Sequence, residues 1–159
     1  MRVPDTTEPR MNLPALLLAF CVGALLPLQA LINARLGQLT MGALFASLAS
    51  FTVGTLALSA LWLAWRPVAI PSAFPQAPWW AWTGGLIGAA FVVAATVLVP
   101  RLGAAALICV VVFGQLAGSL LLDHYGVLHA RQPVDLLKLL GVGLVAAGML
   151  LVVRPWQAA

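Results

Sequence analysis

Long stretches without charge constrain this chain more than any other feature. Leu13–Ile32, Met41–Leu63, Trp79–Val99 and Leu102–Leu122 each run for at least 20 residues without a charged side chain. A fifth stretch, Leu136–Val153, carries only Lys138, in its first turn, where a long side chain reaches the membrane interface. About 20 apolar residues in a helix cross the ~30 Å hydrocarbon layer of a bilayer. The pattern therefore predicts an all-α integral membrane protein with five transmembrane helices. The tryptophans agree: Trp62 and Trp65 close the second span, Trp79, Trp80 and Trp82 open the third, and Trp156 follows the fifth. Such an aromatic belt marks the two membrane–water interfaces.

Composition decides what is excluded. Charged residues make up 8% of the chain and hydrophobic ones 63%, against about 25% charged in ordinary soluble domains. That excludes a soluble enzyme, a soluble binding domain and a disordered tail. The net charge of +4 comes from isolated residues such as Arg35, Arg66, Arg101 and Arg154, each between apolar runs. Without a basic cluster, these are topology determinants rather than a nucleic-acid surface.

The chain divides into a polar N-terminal tail (1–11), a five-helix transmembrane domain (12–154) and a short C-terminal tail (155–159). The third and fourth spans meet at Pro100-Arg101, which predicts a tight hairpin. Arg66–Pro78 carries four prolines and is read as an extended interfacial loop; Asp123–Asp135 is the other polar loop. Leu13–Ala30 also resembles a signal peptide. Its length, and the polar Gln29 and Asn33 at its end, favour a retained helix.

With five spans the termini lie on opposite sides. The N-terminal side, called side A, holds Arg2, Arg10, Arg66, Arg131 and Lys138; side B holds Arg35, Arg101 and Arg154. Positive-inside counting favours a cytoplasmic N-terminus by only two residues. Two readings stand: a single orientation with a weak signal, or insertion in both orientations. The second would permit an antiparallel homodimer with the inverted symmetry of many transporters.

Polar residues inside spans cost free energy unless paired, so their placement is informative. Gln29 and Asn33 share a face of the first span, just after Pro27. Ser47, Ser50 and Gly54 share a face of the second. Gln115, Ser119 and Asp123 form a stripe on the fourth, from mid-membrane to side A. These residues either line a polar cavity or bond a neighbouring helix at ~0.6–2 kcal/mol each. Gly84 and Gly88 on the third span, and Gly114 and Gly118 on the fourth, have GxxxG spacing for close helix contact. Gly141, Gly143 and Gly148 stud a fifth span with almost no polar interior, which suits a dimerisation helix.

No glutamate lies in any span, and Asp123 sits at an end. A deep carboxylate of the kind used by proton-coupled cation exporters is therefore missing. Arg35 is read as an interfacial anchor. Cys21 and Cys109 lie in apolar runs and read as small hydrophobes. His124 and His129 read as solvated loop residues, with too few ligands nearby for a metal. The chain shows no catalytic constellation, and no cofactor is expected.

These motifs resemble a specific family. The first span reads Gly23-Ala-Leu-Leu-Pro27-Leu-Gln29-Ala-Leu-Ile-Asn33-Ala-Arg-Leu-Gly37. The second carries Ser50-Phe-Thr-Val-Gly54. The fourth reads Gly114-Gln115-Leu-Ala-Gly118-Ser119-Leu-Leu-Leu-Asp123-His-Tyr-Gly126, and the fifth has Gly141 and Gly148. Over about residues 12–154 the chain resembles the YdcZ-like family of short five-helix proteins in the drug/metabolite transporter superfamily. The resemblance implies a bacterial inner-membrane protein that forms half of a ten-helix antiparallel dimer, because family members occur singly, as oppositely oriented pairs and as fused ten-helix chains. It also implies movement of small organic molecules, often outward. Gln29, Asn33, Ser50, Gln115 and Asp123 match the family's recurrent polar positions.

Two functions follow as expectations. The first is a secondary transporter of a small polar organic solute, working as an antiparallel dimer, either of this chain alone or with an oppositely oriented relative. The second is a non-transporting membrane subunit that assembles with or regulates a partner. An intramembrane enzyme is a distant third.

Overall fold

The computed structural model of the protein describes residues 13–65, 78–128 and 130–157. The sequence readings of the tail 1–11, of the proline loop up to residue 77 and of His129 lie outside the described residues, as do the last two positions.

Five helices form: α1 (Leu13–Leu39), α2 (Ala43–Trp65), α3 (Gly84–Leu102), α4 (Ala104–Tyr125) and α5 (Leu136–Val153). A 3-10 turn at Trp79–Trp82 leads into α3, and another at Pro155–Gln157 follows α5. All five, with the tryptophan turn counted into the third, are long and apolar enough to cross a membrane.

The helices outrun the apolar stretches where the flanking residues still favour helix. α1 continues seven residues past Ile32, through Asn33, Arg35 and Gln38. At 1.5 Å per residue its 27 residues measure about 40 Å, more than the ~30 Å hydrocarbon layer. Hydropathy ends a span at the first charge; a helix ends only where its backbone is stopped. Here the stop is Gly37 with Gly42. The Gly42 N–H donates to the Gly37 carbonyl at 3.2 Å, and a Cβ on Gly37 would sit 3.2 Å from the Gly42 backbone carbon. The start of α2 thus lies directly against the end of α1.

The α3–α4 hairpin turns later than the sequence suggests. Pro100 and Arg101 both fall inside the last turn of α3. A proline there costs only the bond to the carbonyl four residues back, so the helix continues. The turn is the single residue Gly103, at φ 80° and ψ 154°, a conformation L side chains rarely adopt. Its N–H donates to the Val99 carbonyl at 2.9 Å. At the other end of α4, Asp135 caps α5 by accepting from the Lys138 N–H at 2.8 Å. Lys138 Nζ turns back to donate to the Pro133 carbonyl at 3.2 Å.

The helices pack unequally. α1, α2 and α3 contact one another, α4 packs on α3 and α5 and touches α1, and α5 packs chiefly on α4. Among the described residues the buried ones are Ala30, Asn33 and Ala34 on α1, Ala46 and Ser47 on α2, Ala95, Thr96 and Val99 on α3, and Leu107 on α4. Every one lies in the half of its helix nearest the α1–α2 and α3–α4 turns. With alternating helix directions that is side B. Small side chains pack most closely at this end and form the bundle's seal, with a cleft of about 220 Å³ at Ala34, Gly37, Ala43, Thr96 and Pro100 beside it.

Candidate functional site

α1 brings the central polar groups to the seal. Gln29 and Asn33 lie one turn apart, and Pro27 just before them removes the N–H that would have bonded the Gly23 carbonyl. Asn33 is buried at 4% exposure, inside the band of small residues. Gln29 lies one turn towards side A and is exposed over the residue as a whole.

Two openings meet at Gln29. The first is a cleft of about 210 Å³ between α1, α2 and α3, lined by Gln29, Ser50, Phe51, Gly54, Thr55, Leu58 and Val92. It is open to the outside of the chain and joins Gln29 to Ser50, two of the residues singled out from the sequence. The second is a small pocket of about 10 Å³ between α1, α3 and α4, whose polar lining is Gln29, Asn33 and Thr96. The mid-membrane chemistry is thus neutral throughout, with carboxamides and hydroxyls and no ionised group.

Three hydroxyls near this region bond their own helix. Ser47 Oγ donates to the Ala43 carbonyl at 2.8 Å, Thr96 Oγ1 to the Val92 carbonyl at 2.7 Å, and Thr52 Oγ1 to the Leu48 carbonyl at 2.9 Å. This back-bonding spends the proton and leaves the oxygen an acceptor.

The fourth-span stripe stands apart. Gln115 and Ser119 are exposed on α4 and Asp123 is half-buried, and none of the three lines either opening at Gln29. Asp123, which the sequence reading places at the start of the polar loop, lies in the last turn of α4, where its carbonyl accepts from the Gln132 N–H of the following loop at 2.8 Å. His124 lies beside it, its Nδ1 accepting from the Val134 N–H at 3.4 Å. Among the described residues no group of His, Cys, Asp and Glu is placed to hold a metal.

The glycine faces also point away from the chain's own core. A Cβ on Gly84, Gly114, Gly118, Gly141 or Gly148 would meet no atom within 4 Å. Only Gly88 of the six faces a neighbour, with Phe51 Cζ of α2 at 3.7 Å from such a Cβ. An apolar groove of about 350 Å³ runs between the packed α4 and α5 and includes Cys109, Val145 and Gly148.

Sequence reasoning missed Thr55 and Thr96. Thr96 is a single hydroxyl in an apolar run, and Thr55 is one of several hydroxyls on its helix, with no spacing that marks it out. The signal available for Thr96 was Pro100 four residues on, which leaves the Thr96 carbonyl without its usual donor.

A family model named DMT_YdcZ, described as "Putative inner membrane exporter, YdcZ", matches residues 14–151. No curated protein and no solved structure matches the chain.

Proposed function

Taking as premise that the chain belongs to the YdcZ family of multi-pass inner-membrane exporters, we propose that it carries a small polar organic solute by alternating access, as an antiparallel pair of chains. The observation that carries this reading is the cleft at Gln29, Ser50 and Thr55. It lies at mid-length of its helices, offers only neutral hydrogen-bonding groups, and is open to the outside of the protomer. A second chain of opposite orientation would close it into a cavity near the membrane midplane, where carriers built from inverted repeats hold their substrates.

The exposed polar and glycine faces support the pair. A Gln115 carboxamide turned to lipid lacks partners that a neighbouring helix would supply. The open glycine faces of α4 and α5 permit close helix approach, and the weak charge asymmetry permits both orientations. The neutral lining favours a polar or zwitterionic solute over a simple cation. Exchange of two identical protomers between their conformations would interconvert inward-open and outward-open states of equal free energy, leaving the solute gradient to set direction.

The test has two parts. Single cysteines in the N-terminal tail and after Trp156, in a chain lacking Cys21 and Cys109, are labelled with an impermeant maleimide on intact cells. About half of the protein labelling at each end is expected; labelling at one end alone removes the homodimer. Solutes outside cells expressing the protein are then compared with those outside cells expressing Gln29→Leu. A polar solute enriched by the natural chain and not by the variant is expected. Identical profiles, with both proteins inserted equally, would support a non-transporting subunit instead.

A further inference from the structure

The small pocket between α1, α3 and α4 adjoins the solute cleft at Gln29 and Val92 but, unlike the cleft, reaches to Asn33 and Thr96. We propose that it is a site for one water molecule, held by Asn33, Gln29 and Thr96, and that this water is the latch joining α1 to α3 where the bundle is sealed.

The pocket's volume of about 10 Å³ is close to one probe sphere, the least that admits a water (~10–15 Å³ on this measure). Asn33 is 4% exposed and makes no hydrogen bond to any described residue. Yet no buried side-chain nitrogen or oxygen among the described residues is sealed without a partner. The Asn33 carboxamide therefore keeps access to open space, and Asn33 is one of the residues that line this pocket. An unpaired carboxamide at that depth costs free energy that a bound water removes.

The pocket supplies both kinds of partner. The Asn33 NH2 donates. Thr96 Oγ1 has already given its proton to Val92 and so accepts. The Gln29 carboxamide can do either. Pro100 has no N–H, so the Thr96 carbonyl gains no bond from that position. Water needs two to four such partners. A cation is the poorer occupant: the three polar groups are neutral, and the rest of the lining, including Leu26, Phe91 and Ile108, is apolar, leaving its charge uncompensated.

A water-bridged contact suits a seal that must open. It exchanges for other water contacts at little enthalpic cost, whereas a dry interlock of large side chains would have to be unpacked. The water site stands without the transport reading; its role as a latch rests on it.

The chain contains two asparagines, Asn12 and Asn33. Protein labelled with 15N only at asparagine, in detergent micelles, thus gives two carboxamide NH2 pairs, and Asn33→Leu identifies the buried one. That pair should show an NOE to water with the sign of a slowly exchanging, bound molecule, and the signal should weaken in the near-isosteric Thr96→Val. Absence of the NOE, an NOE like that of bulk water, or a shift of the resonance when choline is replaced by sodium at constant ionic strength would each overturn the site.

The latch is read separately. Val99, 2% exposed in the seal, becomes the only cysteine in a Val99→Cys chain lacking Cys21 and Cys109. Its reaction with a water-soluble methanethiosulfonate should quicken about tenfold in Thr96→Val, equivalent to about 1.4 kcal/mol. An unchanged rate alongside a demonstrated water would overturn the latch. Neither readout needs a transported solute, so both are distinct from failure of the transport reading.

Discussion

The α1–α3 cluster and the α4–α5 pair are both apolar enough to cross a membrane, yet they use their residues in opposite ways. In the cluster, alanines and short polar side chains turn inward: Ala30, Asn33, Ala46, Ser47, Ala95 and Thr96 are all buried. On the α4–α5 pair the small residues turn outward. α5 has no buried residue, and the glycines of α4 and α5 face open space. Lipid tails are as apolar as leucine, so in a bilayer the small residues mark where helices meet. The cluster turns its small residues to such contacts within the chain, whereas the glycine faces of α4 and α5 lie open.

Matched substitutions sharpen the difference. The largest effect is expected from Ala46→Leu, because Ala46 is 0% exposed and overpacking costs about 1–3 kcal/mol. Its thermal midpoint, followed by tryptophan fluorescence in detergent, should fall clearly. Gly114→Leu makes a larger change in side-chain volume on the open face of α4. It should leave the protomer's midpoint nearly unchanged while lowering the yield of cross-linked dimer. Equal loss of midpoint in both would show that the two regions pack alike.

A smaller effect separates Gly37 from Gly141. In Gly37→Ala the new Cβ meets backbone at 3.2 Å, and a loss of about 1 kcal/mol is expected. Gly141→Ala meets nothing and should stabilise the protomer by about 0.5–1 kcal/mol through helix propensity. Chemical or thermal melts of the two variants should therefore move in opposite directions. The smallest change is Asp135→Ala. Losing that cap costs about 1 kcal/mol or less, and because α5 leans chiefly on α4, faster amide hydrogen exchange should be confined to the first turns of α5. Exchange rising across α1–α3 as well would show that the α4–α5 pair and the cluster unfold as one.

The number and order of helices were legible because charge is costly in hydrocarbon. A helix that crosses the bilayer must go about 20 residues nearly without it, and Leu13–Ile32 or Leu102–Leu122 does so in plain view. Helix ends were less legible, since hydropathy reports the edge of the lipid and not the end of the helix. Asn33, Arg35 and Gln38 lie beyond the apolar run yet inside α1. The turn at Gly103 was hidden by Pro100 and Arg101, which look like a stop but are tolerated in a last helical turn. Which face of each helix turns inward was the hardest to read. In water a helix announces its buried face by polarity; in lipid both faces are apolar. Gln29, Asn33 and Ser50 border the two openings. Gln115 and Ser119 share a stripe with Asp123, but nothing in that stripe records that α4 turns it away from Gln29. Thr96 gave one hydroxyl in a run of valines and alanines, and its importance comes from a neighbour on another helix.

The one-residue turn at Gly103 also bears on how the chain enters its membrane. α3 and α4 are joined too closely for a ribosome-bound chain to place one and later reconsider the other: once α3 points one way, α4 must return. A turn this short favours insertion of the pair as one hairpin, whose apex carries a single cation, Arg101. Orientation is then settled by a handful of residues at the other loops and the tail. In such a chain, one or two substitutions among those residues are expected to shift the balance between the two orientations.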